Sequence, residues 1–169
     1  MGNIILIGMP GAGKSTVGVV LAKVLGYRFL DSDLLIQEKE GKLLSELIEE
    51  HGDAGFIKIE NDINKDINVD RTVIATGGSA VYGAEAMEHF KKIGAVVYLE
   101  VPYEEISNRV GDLRNRGVVS NGKSSIEEIY SDRINLYEKY ADVVIRAKDM
   151  SIRETVAEIL GCKAIQNRL

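Results

Sequence analysis

The chain has 169 residues, 45% of them hydrophobic and 28% charged, with a net charge of −5 and a pI near 5.2. That length suits a single domain over residues 1–169 with a core large enough to fold without staples, and the composition excludes prolonged disorder. The acidity argues against a nucleic-acid surface, and a lone cysteine, Cys162, excludes an internal disulfide.

Residues 4–7 read Ile-Ile-Leu-Ile, a short apolar run that predicts a buried strand. It is too short for a membrane span and no basic segment precedes it, so a cytoplasmic protein is expected. A glycine-rich loop follows, then a helix over 16–25 closed by Gly26. Residues 28–31 form a second strand. Helices are expected over 34–39, 43–50 and 54–68, broken at Gly41 and Gly52.

A third strand spans 72–75, and a helix over 84–93 is closed by Gly94. Residues 96–99 give the fourth strand, and Pro102 opens a helix running to about residue 110. From 111 to 125 the apolar period stops and glycines and basic residues take over, which predicts a mobile lid. A long helix over 126–140, a fifth strand over 143–145 and a last helix over 152–160 complete the chain, with Cys162 as a small residue near the end. Strands alternating with helices make this an α/β protein, with five parallel strands between two helical layers. No feature suggests an oligomer, so a monomer is expected.

Residues 8–15, Gly-Met-Pro-Gly-Ala-Gly-Lys-Ser, match G-x-x-x-x-G-K-S/T at every fixed position, between a strand and a helix. Glycines permit the tight turn, and successive N–H groups with the helix N-terminus attract phosphate. Nucleotide contacts are therefore expected at Gly11, Ala12, Gly13, Lys14, Ser15 and Thr16. Lys14 is placed to reach the β and γ phosphates, and Ser15 to ligate Mg²⁺. The motif implies ATP or GTP, and no N-K-x-D guanine-reading motif is present.

Asp31-Ser32-Asp33 ends the second strand at the sheet edge where ligands bind in such folds. Its two carboxylates suit metal support and acceptance of a proton, while Asp33 or Ser32 also suits a helix N-cap. Thr76-Gly77-Gly78-Ser79 ends the third strand at the same edge, where paired glycines let a small ligand lie on backbone.

Taken in order, GMPGAGKSTVG at 8–18, D-S-D at 31–33, A-T-G-G at 75–78, R-N-R at 114–116 and D-R-x-x-L-Y-x-x-Y-A-D at 132–142 resemble shikimate kinase over nearly the whole chain. The resemblance implies a P-loop kinase fold with a lid, ATP and Mg²⁺, and transfer of the γ-phosphate to the 3-hydroxyl of shikimate. It implies that Asp31 supports the metal through water. Asp33 would hold the acceptor hydroxyls beside Gly77 and Gly78, and Arg133 would grip the acceptor carboxylate. Arg116 would neutralise the transferred phosphoryl group, and Arg109 would lie near the adenine.

Three positions depart from the family pattern. Phe56-Ile57-Lys58-Ile59-Glu60 carries isoleucine where F-R-x-x-E has a second arginine. Neighbouring Lys58 points about 100° away on a helix and lacks the forked geometry of arginine. Ser79 replaces a third glycine, and Arg116-Gly117-Val118-Val119 replaces R-P-L-L, which predicts a looser lid. Another small hydroxyl compound or a nucleoside monophosphate as acceptor, and a nucleotide-binding module without turnover, are the competing readings.

Overall fold

The computed structural model describes residues 2–110 and 118–168. Five parallel strands run β1 (Asn3–Ile7), β2 (Arg28–Asp31), β3 (Thr72–Ala75), β4 (Gly94–Glu100) and β5 (Val143–Arg146), in spatial order β2-β3-β1-β4-β5. Helices α1 (Lys14–Leu25), α2 (Ser32–Glu40), α3 (Leu44–Lys65), α4 (Ala84–Ile93), α5 (Tyr103–Val110), α6 (Ile126–Tyr140), α7 (Ile152–Gly161) and α8 (Lys163–Gln166) connect and follow them. None of these helices is long and apolar enough to cross a membrane.

The central strand shows why an unbroken apolar run was needed. Its side chains alternate between faces, and both faces are covered. Ile4 and Leu6 pack with Val17 and Leu21 of α1, Val156 and Ile159 of α7 and Ile165 of α8. Ile5 and Ile7 pack with Phe90 of α4, Ile106 of α5 and Tyr137 of α6. A third cluster joins Ile36 of α2 to Leu47, Phe56 and Ile63 of α3 and to Val119. The expected sheet with helices on both faces is present.

Some boundaries differ from the sequence reading. The two helices expected over 43–68 form the single run α3, kinked where Gly52 takes φ 68° and ψ 174°. Gly94 does not cap α4 in the left-handed conformation but opens β4 with extended φ −173°. A Cβ there would stand 2.3 Å from the Asn3 carbonyl oxygen, so the glycine permits close approach of two strands. The four-residue α8 and the 3₁₀ turn Ala80–Tyr82 are too short to show a period in sequence.

Chain direction creates the crevice. β1 and β3 are neighbours, yet α1 leaves β1 on one face while α4 follows β3 on the other. The loops after these strands therefore diverge, which opens a ligand site at the carboxyl edge.

At the opposite edge, buried Asn3 ties three segments together. Its amide donates to the carbonyls of Val69 (2.7 Å) and Ile93 (3.0 Å) and accepts from the Thr72 N–H (3.0 Å). Unpaired buried groups cost about 1–3 kcal/mol each. Asn3→Ala is therefore expected to lower unfolding free energy by about 2–4 kcal/mol, read as an earlier urea midpoint with an unchanged slope.

Candidate active site

The phosphate loop opens as its glycines allow. Gly8, Gly11 and Gly13 take φ of 146°, 81° and 87°, values that side chains rarely adopt. Ala12 N–H donates to the Met9 carbonyl at 3.1 Å, and Gly13 caps α1 without a side chain of its own. Lys14 is buried and lies back over the loop, donating to the carbonyls of Gly8 and Met9 at 2.8 Å each. Burial pushes its pKa down to about 8, against the opposing pull of Asp33.

Asp31 joins the two loops. Its Oδ2 accepts from the Ser15 hydroxyl at 2.7 Å, and its Oδ1 accepts from the N–H groups of Asp33 (3.0 Å) and Leu34 (3.4 Å). The N-cap of α2 is thus Asp31, not Asp33 or Ser32. An N-cap side chain must sit one residue before the helix, and α2 begins at Ser32. This leaves the Asp33 carboxylate to face the crevice. Burial and the neighbouring charge of Asp31 raise its pKa to about 6.

A cavity of about 290 Å³ lies between these groups, lined among others by Lys14, Ser15, Asp33, Gly77, Gly78 and Arg133. A second, of about 300 Å³, lies on the far side of the loop beside Gly11, Ala12, Thr16 and Arg109. The structure thus brings the expected acceptor residues to one cavity and Arg109 to the other. Arg109 is held there by Glu105 at 2.8 Å and by the Gly11 carbonyl at 3.3 Å. Arg116 lies outside the described residues, as does the part of the expected lid over 111–117.

Arg133 sits fully buried on α6 beneath the glycine turn. Its Nη2 donates to the Val119 carbonyl at 2.5 Å and its Nε to the Tyr82 hydroxyl at 3.4 Å, with the Tyr82 ring 5.3 Å from the guanidinium carbon. Nη1 has no partner among the described residues. Tyr137, read from sequence as packing, does stack on Tyr98, and its hydroxyl also donates to the Gly78 carbonyl at 2.6 Å.

The departures resolve differently from one another. Lys58 is exposed and pairs with Asp62, so it contributes nothing to the cavity. Ile57 packs against the α2–α3 apolar cluster. Val119, expected in a loosened segment, is 2% exposed and anchored in that same cluster. The adjoining Ser120 hydroxyl and Asn121 N–H both donate to Asp53, beside the Gly52 kink.

Sequence reasoning gave Glu60 no role. It is 1% exposed, accepts from the Ser79 hydroxyl at 2.6 Å through Oε2, and has no basic side chain within ion-pair distance among the described residues. Burial raises its pKa to about 8, outweighing the Ser79 hydrogen bond. Its place as the last residue of the Phe56–Glu60 stretch compared above with F-R-x-x-E is its trace in the sequence.

The shikimate kinase family model matches residues 10–163. The chain belongs to the shikimate kinase family. It is 40% identical to the shikimate kinase of Clostridium botulinum (strain Eklund 17B / Type B) over 158 residues, 93% of this chain and 94% of the relative. Among solved structures it is similar to the shikimate kinase of Acinetobacter baumannii in complex with shikimate, with a TM-score of 0.86, 35% identity and coverage of 95% and 91% of the two chains. The Aquifex aeolicus shikimate kinase gives a TM-score of 0.80, 33% identity and coverage of 94% of each chain. The five-stranded parallel sheet and its flanking helices are thus the family's P-loop kinase fold.

For this family member, the neutral state of buried Glu60 has a measurable cost. The folded chain keeps the proton that an unfolded Glu60 would release above its ordinary value of 4.5. This stabilisation is fully present below that value and is lost as pH rises through about 8. The urea midpoint is expected to fall between pH 5 and pH 8.5, and Glu60→Gln is expected to make the fall shallower.

Proposed function

We propose that this chain is an ATP-dependent shikimate kinase, transferring the γ-phosphoryl group of ATP to the 3-hydroxyl of shikimate. The observation that carries this reading is the single cavity faced by the loop lysine, a strand-end carboxylate and a buried arginine with an unpartnered Nη1. Family membership across nearly the whole chain supports the same acceptor.

The triphosphate lies along the loop amides, with the base toward the cavity beside Arg109 and the γ-phosphate toward the acceptor cavity. Lys14 moves from its loop carbonyls to the β and γ phosphates, whose charge restores full protonation against the lowering by burial. Asp33 orients the acceptor hydroxyl and takes its proton as the oxygen attacks phosphorus and the bond to the β-phosphate oxygen breaks. Arg133 presents Nη1 to the acceptor carboxylate, and Arg116 keeps the phosphoryl-neutralising role that the resemblance gives it.

The Ser15 and Asp31 oxygens, 2.7 Å apart at the loop mouth, are a hard-oxygen pair that fits Mg²⁺. Ser15 would bind it directly and Asp31 through water. When bound, Mg²⁺ neutralises charge on the β and γ phosphates. Residues 111–125 serve as the lid, and Val119, whose carbonyl accepts from Arg133, supports an anchored C-terminal end for it.

ADP release is expected to require shikimate, with little response to other hydroxy acids, polyols or nucleoside monophosphates. Activity with one of those and none with shikimate would overturn the acceptor, and ATP binding without any acceptor-dependent release would overturn the kinase. Lys14→Ala is expected to abolish turnover while leaving the unfolding midpoint near wild type. Arg133→Lys keeps a charge but loses the fork, and should raise the shikimate KM about ten- to hundredfold while changing the ATP KM far less.

A further inference from the structure

The cavity beside Arg109 takes its lining from three places: the phosphate loop, the end of α5, and the turn after β5 through Ala147, Met150 and Ile152. Glu105 of α5 is not part of that lining and has no part in phosphoryl transfer, yet it joins two of the three. Its Oε2 accepts from Arg109 Nη2 at 2.8 Å, one helical turn away. Its Oε1 accepts from the Asp149 N–H at 3.1 Å, from a residue 44 positions further along the chain.

The ion pair alone would not single the residue out. A pair one turn apart on a helix is worth little where it is exposed, and the Arg109 side chain is 44% exposed. The second oxygen changes the case. Asp149 holds φ 56°, a left-handed conformation unusual for a residue with a side chain. Such a conformation persists where surrounding groups fix it, and Glu105 fixes its N–H. The guanidinium of Arg109 is meanwhile held at both ends, by Glu105 and by the Gly11 carbonyl at 3.3 Å. Gly11 lies against the end of α5, where a Cβ on it would stand 2.8 Å from Val110 Cγ2. Packing thus sets α5 against the loop, and one carboxylate sets it against the turn. A guanidinium reads a flat ring by lying over its face, which depends on the angle of its plane and on the gap it faces.

We infer that Glu105 is a positioning residue for the nucleotide base, setting the plane of Arg109 and the gap between α5 and the 147–150 turn. This assignment rests on the reading that places the base beside Arg109. The ligand class it serves is a flat heteroaromatic base joined to a phosphate chain, and the chain itself, held by the loop, does not need it. Loss of Glu105 therefore weakens nucleotide and not bare polyphosphate. A role through charge alone has the opposite sign, because removing an acidic group near a polyphosphate strengthens both.

The test compares wild type with Glu105→Ala, Glu105→Gln and, as a control for lost charge on the same helix, Glu104→Gln. Calorimetry measures binding of ATP and of inorganic tripolyphosphate, each with Mg²⁺. Steady-state ADP release gives the KM for ATP and for shikimate, and urea midpoints establish folding. Glu105→Ala is expected to raise the Kd and KM for ATP about tenfold, leaving kcat, the shikimate KM and the tripolyphosphate Kd near wild type. Glutamine keeps a carbonyl for the Asp149 N–H but turns an N–H toward Arg109, so a loss of about threefold is expected. Glu104→Gln is expected to match wild type.

Equal losses for ATP and tripolyphosphate would overturn the inference, because they would place the effect on the phosphate loop. Wild-type ATP affinity in folded Glu105→Ala would also overturn it, and glutamine at wild-type affinity would remove the Arg109 contact from it. Should wild type bind ATP without releasing ADP to shikimate, the kinase reading fails while the binding series still decides the role of Glu105. If wild type binds ATP no more tightly than tripolyphosphate, the base site falls and the role of Glu105 with it.

Discussion

The helices following neighbouring strands β1 and β3 leave the sheet on opposite faces, and no side chain at the site could meet another without that divergence. It needs a central strand that can be covered on both faces, which is why residues 4–7 are all fully buried apolar residues. It also needs two loops able to run close together without colliding. Gly78 meets Pro10 so closely that a Cβ there would stand 2.5 Å from the proline ring. Phosphate loop and glycine turn are thus fitted to one another before any ligand arrives.

The resulting cavity holds more ionisable groups than burial readily tolerates. Lys14, Glu60 and Arg133 are all buried, and Asp33 is pushed well above the usual carboxylate range. The groups meet this cost in different ways. Lys14 uses backbone carbonyls, Arg133 uses a carbonyl and an aromatic hydroxyl, and Glu60 gives up its charge. Raised and lowered pKa values gathered in one cleft are the expected mark of a site built to handle charge.

The sheet and most helices were legible because buried parallel strands read as short apolar runs and the glycine spacing of a phosphate loop follows from backbone geometry. The sequence placed Lys14, Asp33, Gly77 and Gly78 at one sheet edge, the family resemblance added Arg133, and the cavity lies among them. What escaped was pairing across distance. Ser79 and Glu60 stand 19 positions apart, and nothing in either local pattern announces their hydrogen bond. The choice of Asp31 over Asp33 as the α2 cap turned on a one-residue helix boundary, below the resolution of periodicity. Gly94 looked like a helix stop because its close approach to Asn3 is a tertiary fact.

The guanidinium of Arg133 reaches three parts of the chain at once: Val119 through Nη2, Tyr82 through Nε, and the cavity beside Gly78 through the unpartnered Nη1. Energies at such a junction do not partition. Removing the arginine deletes the cavity's cation, frees the Val119 carbonyl and leaves the Tyr82 hydroxyl with Asp132 alone. Changes at these neighbours will therefore be non-additive with changes at Arg133, and only double-mutant cycles can separate ligand recognition from the seating of the segment above it.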